Sequence, residues 1–151
     1  MTPWEVRLQH LVNLLVVGTG LGYAYFKYFA HGTNAYSTIG NVNEPIFHDA
    51  HVLVVPALVF VCGLIWNSHV LRNLKTARNV KRGSGLGLII ILLPMVATGY
   101  LVQTAVDESW RRAWVWIHLV TSGVWTMSYI VHLVGPTVIA RKLKKSRKQH
   151  A

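Results

Sequence analysis

Four long apolar segments, separated by short polar connections, constrain this chain more than any other feature. They run from about Trp4 to Phe29, Ile46 to Leu71, Leu86 to Val106 and Trp110 to Ala140. Each is long enough for an α-helix to cross the hydrocarbon core of a bilayer. Because a backbone in lipid must satisfy its own hydrogen bonds, we expect an all-α, integral membrane four-helix bundle. The whole chain, 1–151, is expected to form a single transmembrane domain.

The composition agrees with a membrane protein of this kind. Hydrophobic residues make up 52% of the 151 residues and charged residues only 13%, which is unusually apolar for a soluble domain. The single cysteine, Cys62, excludes a disulfide within the chain. We find no internal repeat, no soluble domain and no folded module for nucleic-acid recognition, so nucleic acid is not an expected partner.

The charges predict the orientation of the bundle. Most of the net charge of +10 lies in the second connection and in a C-terminal tail, 141–151. The basic residues of these two regions are Arg72, Lys75, Arg78, Lys81, Arg82, Arg141, Lys142, Lys144, Lys145, Arg147 and Lys148. The positive-inside rule therefore predicts that both termini and the tail are cytoplasmic. The basic tail can also contact anionic lipid or an acidic partner.

Histidines inside the apolar segments are the candidate functional residues. His118 and His132 lie fourteen residues apart, which is nearly four helical turns and a rise of about 21 Å, so both rings point from one face. With both termini cytoplasmic, His51 and His118 lie in the outer leaflet and His10 and His132 in the inner leaflet. Because a histidine is expensive to place in lipid, these two matched pairs indicate a function.

Two stacked histidine pairs suit two b-type haems. A neutral imidazole nitrogen fills an axial position of the haem iron, and helical bundles build such sites from facing helices. With both axial positions filled, the centre favours electron transfer over oxygen chemistry. Small residues leave room for the flat macrocycle, and we expect Gly18, Gly20 and Gly123 to provide that room.

At these residues the sequence resembles a known family. The stretches "RLQHLVN", "FHDAHVLV" and "WIHLVTSGVWTMSYIVHLV" look like the four-helix di-haem cytochrome b family. That family includes bacterial cytochrome b561 and the membrane subunits of nickel-iron hydrogenases and respiratory formate dehydrogenases. The resemblance covers nearly the whole chain. It implies that His51 and His118 ligate the outer haem, that His10 and His132 ligate the inner one, and that the protein resides in the bacterial cytoplasmic membrane.

The ligand assignment leaves two alternatives open. His48 lies one turn from His51 and can replace it. His69 lies eighteen residues from His51, which is five whole α-helical turns and predicts a shared face. It can replace His10, contact a haem propionate or serve a quinone. A quinone site near the inner haem is expected from the polar residues there, which are Asn13, Trp66, Asn67, His69 and Arg72.

The expected function is electron transfer across the membrane, between an outer-side redox subunit or cytochrome and the quinone pool. The chain is expected to be the membrane subunit of a respiratory oxidoreductase complex. One alternative is a self-sufficient superoxide:quinone oxidoreductase, in which Lys27, Arg111 and Arg112 attract the anion. Another is a haem-free membrane anchor or proton relay. Absorption spectroscopy distinguishes the haem-free alternative from the others, because bis-histidine haem gives sharp α-bands when reduced and a haem-free protein gives none.

Overall fold

The computed structural model describes residues 1–30, 41–75 and 82–149, with the side chains of 1–30, 41–75 and 85–135. These residues are almost entirely helical. The helices are α1 (Pro3–Tyr28), α2 (Asn43–Ile65), a π-helical segment (Trp66–Leu71), α3 (Arg72–Lys75), α4 (Arg82–Thr104) and α5 (Glu108–Gln149). The chain divides into two compact units, Met1–Arg72 and Asn73–Ala151.

Three helical stretches within the described residues are long and apolar enough to cross a membrane. They are Asn43–Lys75, Gly85–Thr104 and Glu108–Gly135, and they support a multi-pass membrane protein. The first predicted span forms α1 as expected, but α1 is not one of the three. Polar side chains such as Gln9 and Asn13 lower its mean hydropathy. The described residues thus give three candidate spans where the sequence predicts four.

The predicted bounds lie close to those of the helices, with two exceptions. The backbone of α5 stays helical to Gln149, through most of the segment 141–151 that is expected to be a tail. The third connection is also shifted, to residues 105–107 instead of 107–109, because α4 ends at Thr104 and α5 begins at Glu108. Residues 31–40 of the first predicted connection and 76–81 of the second lie outside the described residues.

In the first unit, α1 packs antiparallel to α2. The Nε2 atom of Gln9 lies 3.8 Å from the Sγ atom of Cys62, and Nζ of Lys27 lies 3.6 Å from Oε1 of Glu44. Eighteen residues separate these two contacts along each helix, so one register holds along the pair. The buried apolar residues of this unit are Val12, Leu58, Val61 and Ile65.

In the second unit, α4 packs antiparallel to α5. Gly99 lies against His118 and Gly85 lies against His132. Fourteen residues separate the two contacts along each helix, so this pair also keeps one register. The buried residues of this unit are Met95, Thr98 and Trp125.

A π-helical segment, Trp66–Leu71, interrupts the second predicted span. Its hydrogen bonds run from residue i to i+5, so its turns are wider than those of an α-helix. The eighteen residues from His51 to His69 therefore do not make five whole α-helical turns. That count no longer predicts a shared face for the two rings. Short π-helical turns within α-helices occur frequently at functional sites.

Candidate functional site

His51 of α2 is held against α1 through its Nδ1 atom. This atom lies 3.1 Å from the carbonyl oxygen of Val16 and 3.1 Å from Oγ1 of Thr19. The Thr19 hydroxyl donates its own proton to the carbonyl of Leu15 at 2.7 Å. Because a hydroxyl has one proton to donate, Thr19 accepts from the imidazole. Both neighbours of Nδ1 are then acceptors, so Nδ1 carries the ring proton.

His118 of α5 is held against α4 in the same way. Its Nδ1 atom lies 3.0 Å from the carbonyl oxygen of Met95 and 3.3 Å from Oγ1 of Thr98. The hydroxyl of Thr98 donates to the carbonyl of Pro94 at 2.7 Å. The same reasoning places the ring proton of His118 on Nδ1.

A glycine follows each threonine and allows the imidazole to approach the helix closely. A Cβ atom at Gly20 would lie 2.9 Å from Cε1 of His51, and one at Gly99 would lie 3.1 Å from Cε1 of His118. Carbon atoms pack best at about 3.5–4.0 Å. Both rings can therefore occupy their positions only because a glycine, which has no side chain, stands at each site.

The two histidine sites repeat one local arrangement. The stretches "VVGTG" (16–20) and "MVATG" (95–99) present a carbonyl, a threonine hydroxyl and a glycine in the same order. Seven residues after each histidine comes a buried apolar residue, Leu58 in α2 and Trp125 in α5, exposed by 1% and 4%. The similarity is confined to these short stretches and their contacts with the histidines.

Sequence analysis misses the carbonyl and threonine partners of the two histidines, although the sequence contains a signal for them. Each partner helix has a Thr-Gly pair three residues after the carbonyl that holds the ring. The histidine follows this glycine by 31 residues in one unit, from Gly20 to His51, and by 19 in the other, from Gly99 to His118. Because these spacings differ, a search for a fixed period does not find the repeat.

The tautomer of His51 and His118 fits a metal ligand. When Nδ1 carries the proton, Nε2 has the lone pair that can bind a metal. Metal-binding histidines almost always donate their other ring N–H to a carbonyl, a carboxylate or water. Oγ of Ser122 lies 3.4 Å from Nε2 of His118, so its hydroxyl is a competitor for that lone pair. The donor chemistry of both histidines is that of axial haem ligands.

His132 has a looser contact with its partner helix. A Cβ atom at Gly85 would lie 3.5 Å from Cε1 of His132, which is ordinary van der Waals contact. In the sequence, Ser84 precedes this glycine, but its side chain lies outside the described ones. His132 therefore shares the glycine contact of the other two histidines.

The distance between the predicted outer and inner ligand levels can be counted along one helix of each unit. His10 is exposed in the first unit, and it lies ten residues along α1 from Gly20, the glycine against His51. This is a rise of about 15 Å, whereas the fourteen residues from His118 to His132 rise about 21 Å. The two lengths differ by about 6 Å along the helices of their own units, and the matching of the pairs in depth stays a prediction.

His48, the alternative to His51, has different surroundings. Its Nδ1 atom lies 2.9 Å from Oδ1 of Asp49, and its ring meets that of Tyr23 edge-on with centroids 5.2 Å apart. A carboxylate partner also suits a metal-binding histidine. The contacts described for His48 are thus with a carboxylate and an aromatic ring, whereas His51 meets a carbonyl, a threonine and a glycine, and we retain His51 as the proposed ligand.

The residues expected at a quinone site fall into two places. Asn67 and His69 lie in the π-helical segment and Arg72 follows it directly. Asn13 is buried in the first unit, where its Nδ2 atom donates to the carbonyl of Gln9 at 2.7 Å. On the register of that unit, Asn13 lies about nine residues, or roughly 14 Å, from the level of Asn67. Asn13 therefore does not lie level with the other four expected residues, since Trp66 is also in the π-helical segment.

Three buried polar atoms have no hydrogen-bond partner among the described residues. They are Oε1 of Gln9, Oγ of Ser68 and Nε1 of Trp125. Leaving such a group unsatisfied costs about 1–3 kcal/mol, so a bound group that supplies a partner is favoured there. Ser68 precedes His69 in the π-helical segment, where the expected quinone site stays a prediction.

Two cations considered for attracting superoxide have acidic partners. Lys27 pairs with Glu44 at 3.6 Å, and Arg111 pairs with Glu108 one turn earlier in α5. Each carboxylate offsets a positive charge, which weakens the superoxide alternative.

The remaining predicted glycines lie in open space. A Cβ atom at Gly18 or Gly123 would meet no atom within 4 Å, whereas one at Gly20 would meet His51. Open space at Gly18 and Gly123 is compatible with their expected packing against a macrocycle. No group of three His, Cys, Asp or Glu side chains suited to a metal occurs in the part of the chain that the structure describes, but a haem iron takes only two axial protein ligands.

No family model matches this chain, and neither a curated protein nor a solved structure matches it. The assignment of function therefore depends on the chain's own residues and their contacts.

Proposed function

We propose that this chain is a b-type cytochrome that binds two haems and carries electrons across a membrane to or from a quinone. One observation carries the proposal: His51 and His118 are held by the same set of groups, which leaves the lone pair on Nε2 in both. The predicted outer pair takes one histidine from each unit. The resemblance to the di-haem cytochrome b family, which stays a prediction from the sequence, implies the same two ligands.

Within this proposal the chain's own residues hold and orient the cofactor. His51 and His118 hold the outer haem through Nε2, and His10 and His132 hold the inner one. The carbonyls of α1 and α4 keep the proton on Nδ1 of the outer histidines, so that each ring presents a neutral nitrogen donor. Haem, when bound, supplies reversible one-electron transfer.

The quinone site belongs at the π-helical segment in this proposal. The hydroxyl of Ser68 and the ring of His69 offer hydrogen bonds to a carbonyl oxygen of the quinone, and the amide of Asn67 adds a further donor. Reduction of a quinone takes up two protons as well as two electrons. His69 is suited to pass on a proton, because a neutral imidazole ring has one nitrogen that donates and one that accepts.

The charges support the orientation that we propose. The basic second connection and the basic C-terminal segment favour cytoplasmic termini, and in that orientation the π-helical segment is at the cytoplasmic side. An outer-side redox subunit or cytochrome is then the partner for the outer haem. We propose the bacterial cytoplasmic membrane as the location, and the membrane subunit of a respiratory complex as the role.

Spectroscopy with quinol tests this function. The full chain, purified in a mild detergent, should show a sharp α-band on reduction with dithionite and should be reduced by an added quinol. The Thr126→Val variant is a matched control, because the Thr126 hydroxyl donates only to its own helix, at the carbonyl of Ser122. A helical, monodisperse protein with an α-band that no quinol can reduce would contradict the quinone role. The absence of any α-band would contradict the whole proposal.

A further inference from the structure

We propose that Thr19 and Thr98 are equivalent positioning residues, one for each axial imidazole of the outer haem, and that their hydroxyls set the donor strength of His51 and His118. This inference rests on the proposed function and deepens it. Neither threonine touches the iron, so each acts through its histidine.

The evidence is a second acceptor at each Nδ1 atom. The ring N–H of His51 meets a carbonyl at 3.1 Å and the Thr19 hydroxyl at 3.1 Å. The ring N–H of His118 meets a carbonyl at 3.0 Å and the Thr98 hydroxyl at 3.3 Å. Both hydroxyls donate at 2.7 Å to the carbonyl four residues earlier, so each presents a lone pair to the imidazole.

The position of each hydroxyl is fixed by its helix. A threonine within a helix can bond the carbonyl of residue i−3 or i−4, which selects its rotamer. Thr98 is only 4% exposed, so water has little access to its hydroxyl. Each threonine hydroxyl is thus held in place by its own helix, whatever the orientation of the facing imidazole ring. The glycine after each threonine lets the ring come within reach of both acceptors.

The expected consequence is a stronger axial ligand. Accepting groups at Nδ1–H raise the basicity of the opposite nitrogen, which binds the metal. A more basic ligand favours oxidised over reduced iron and lowers the midpoint potential. Replacing the hydroxyl by a methyl group removes one of the two acceptors described for each ring, so the potential of the outer haem should rise.

The test uses the haem-loaded full chain and three valine variants. Thr19→Val, Thr98→Val and the double variant keep the shape of the side chain but remove the hydroxyl. We expect each single change to alter the ratio of oxidised to reduced outer haem at a fixed potential by about threefold or more, the size of one net hydrogen bond. The double variant should shift further, the inner haem should stay unchanged, and the low-spin g-values of the outer haem should move.

Two control sets separate positioning from packing. Thr19→Ser and Thr98→Ser keep the hydroxyl and should restore the wild-type potential. Thr126→Val removes a hydroxyl that donates to its own helix and should leave both potentials unchanged. If the valine variants bind both haems with unaltered potentials and g-values, the inference is overturned while the proposed function stands.

Nitrogen NMR of the haem-free full chain tests the contact without any cofactor. The ring ¹⁵N shifts of His51 and His118 should report the Nδ1–H tautomer, and the valine variants should shift the Nδ1 signal of the facing histidine. If the wild-type chain binds no haem, the proposed function fails, and this measurement still decides the threonine contact. Rings with the proton on Nε2 would overturn the inference.

Discussion

The Nδ1 atom of His118 lies 3.0 Å from the carbonyl oxygen of Met95. This contact joins a side chain of α5 to the backbone of α4, and Val16 makes the matching contact with His51 in the first unit. The orientation of a candidate axial ligand is therefore coupled to the packing of each helix pair. Changes in that packing should appear in the spectrum of a bound haem.

A graded series of glycine substitutions tests this coupling. An added Cβ would lie 2.9 Å from the facing imidazole at Gly20, 3.1 Å at Gly99 and 3.5 Å at Gly85. Alanine should therefore reduce the low-spin haem signal most at Gly20, less at Gly99 and least at Gly85, measured by electron paramagnetic resonance. Gly87→Ala is the control in α4, because its Cβ would meet nothing within 4 Å. Equal signals in all four variants would contradict the close approach of the rings.

The two predicted haems should be separable by substitutions in α5. His118→Ala should remove the outer haem and His132→Ala the inner one, because each deletes one axial bond at a different depth. Redox titration of each variant should then show a single remaining component. Ser122→Ala should keep both, since the Ser122 hydroxyl competes for Nε2 of His118 and does not bind the metal. Retention of both low-spin signals in either alanine variant would make the assignment in α5 wrong.

The inner ligand in the first unit is tested by a comparison of His10 and His69. We expect His10→Ala to lose the inner haem. His69→Ala should keep both haems and slow electron exchange with quinone on the order of fivefold or more, as expected for one lost hydrogen bond. Stopped-flow reduction by quinol measures this rate. Loss of the inner haem in His69→Ala, with retention in His10→Ala, would identify His69 as the ligand.

We expect the side chain of Trp125 to stabilise the fold mainly by packing. It is 4% exposed, and it lies seven residues from both His118 and His132 on α5. Trp125→Ala should lower the free energy of unfolding by about 3 kcal/mol or more, followed as the thermal loss of haem absorbance. Trp125→Phe should cost much less, because Nε1 has no hydrogen-bond partner among the described residues. Equal thermal stability of the alanine variant and the wild type would contradict this role.

The helices are predictable because hydropathy and length determine them. Apolar stretches of about 20 residues in lipid have few alternatives to an α-helix, so the bounds of α2 and α4 lie close to those expected. The same argument predicts that α1 spans the membrane. The helix forms, but its polar residues lower its hydropathy, and it is not among the three candidate spans. The π-helical segment Trp66–Leu71 has no periodic pattern that a sequence reveals, and it invalidates the count of turns to His69.

The candidate site is predictable only in part. The chemistry of histidine in an apolar segment points to His51 and His118 without any structure. Their partners are backbone carbonyls and threonine hydroxyls of the neighbouring helix, which depend on the register between helices. Connections of different length hide that register in the sequence. Thr19 and Thr98 are therefore recognised only when the helix pairs are seen together.

The haem content of the purified full chain tests the central claim most directly. A pyridine haemochrome assay, with protein quantified by amino-acid analysis, measures haem per chain. Four axial histidines predict about two non-covalent b haems for each chain. Fewer than about one haem per chain, in protein that is helical and monodisperse, would contradict the account.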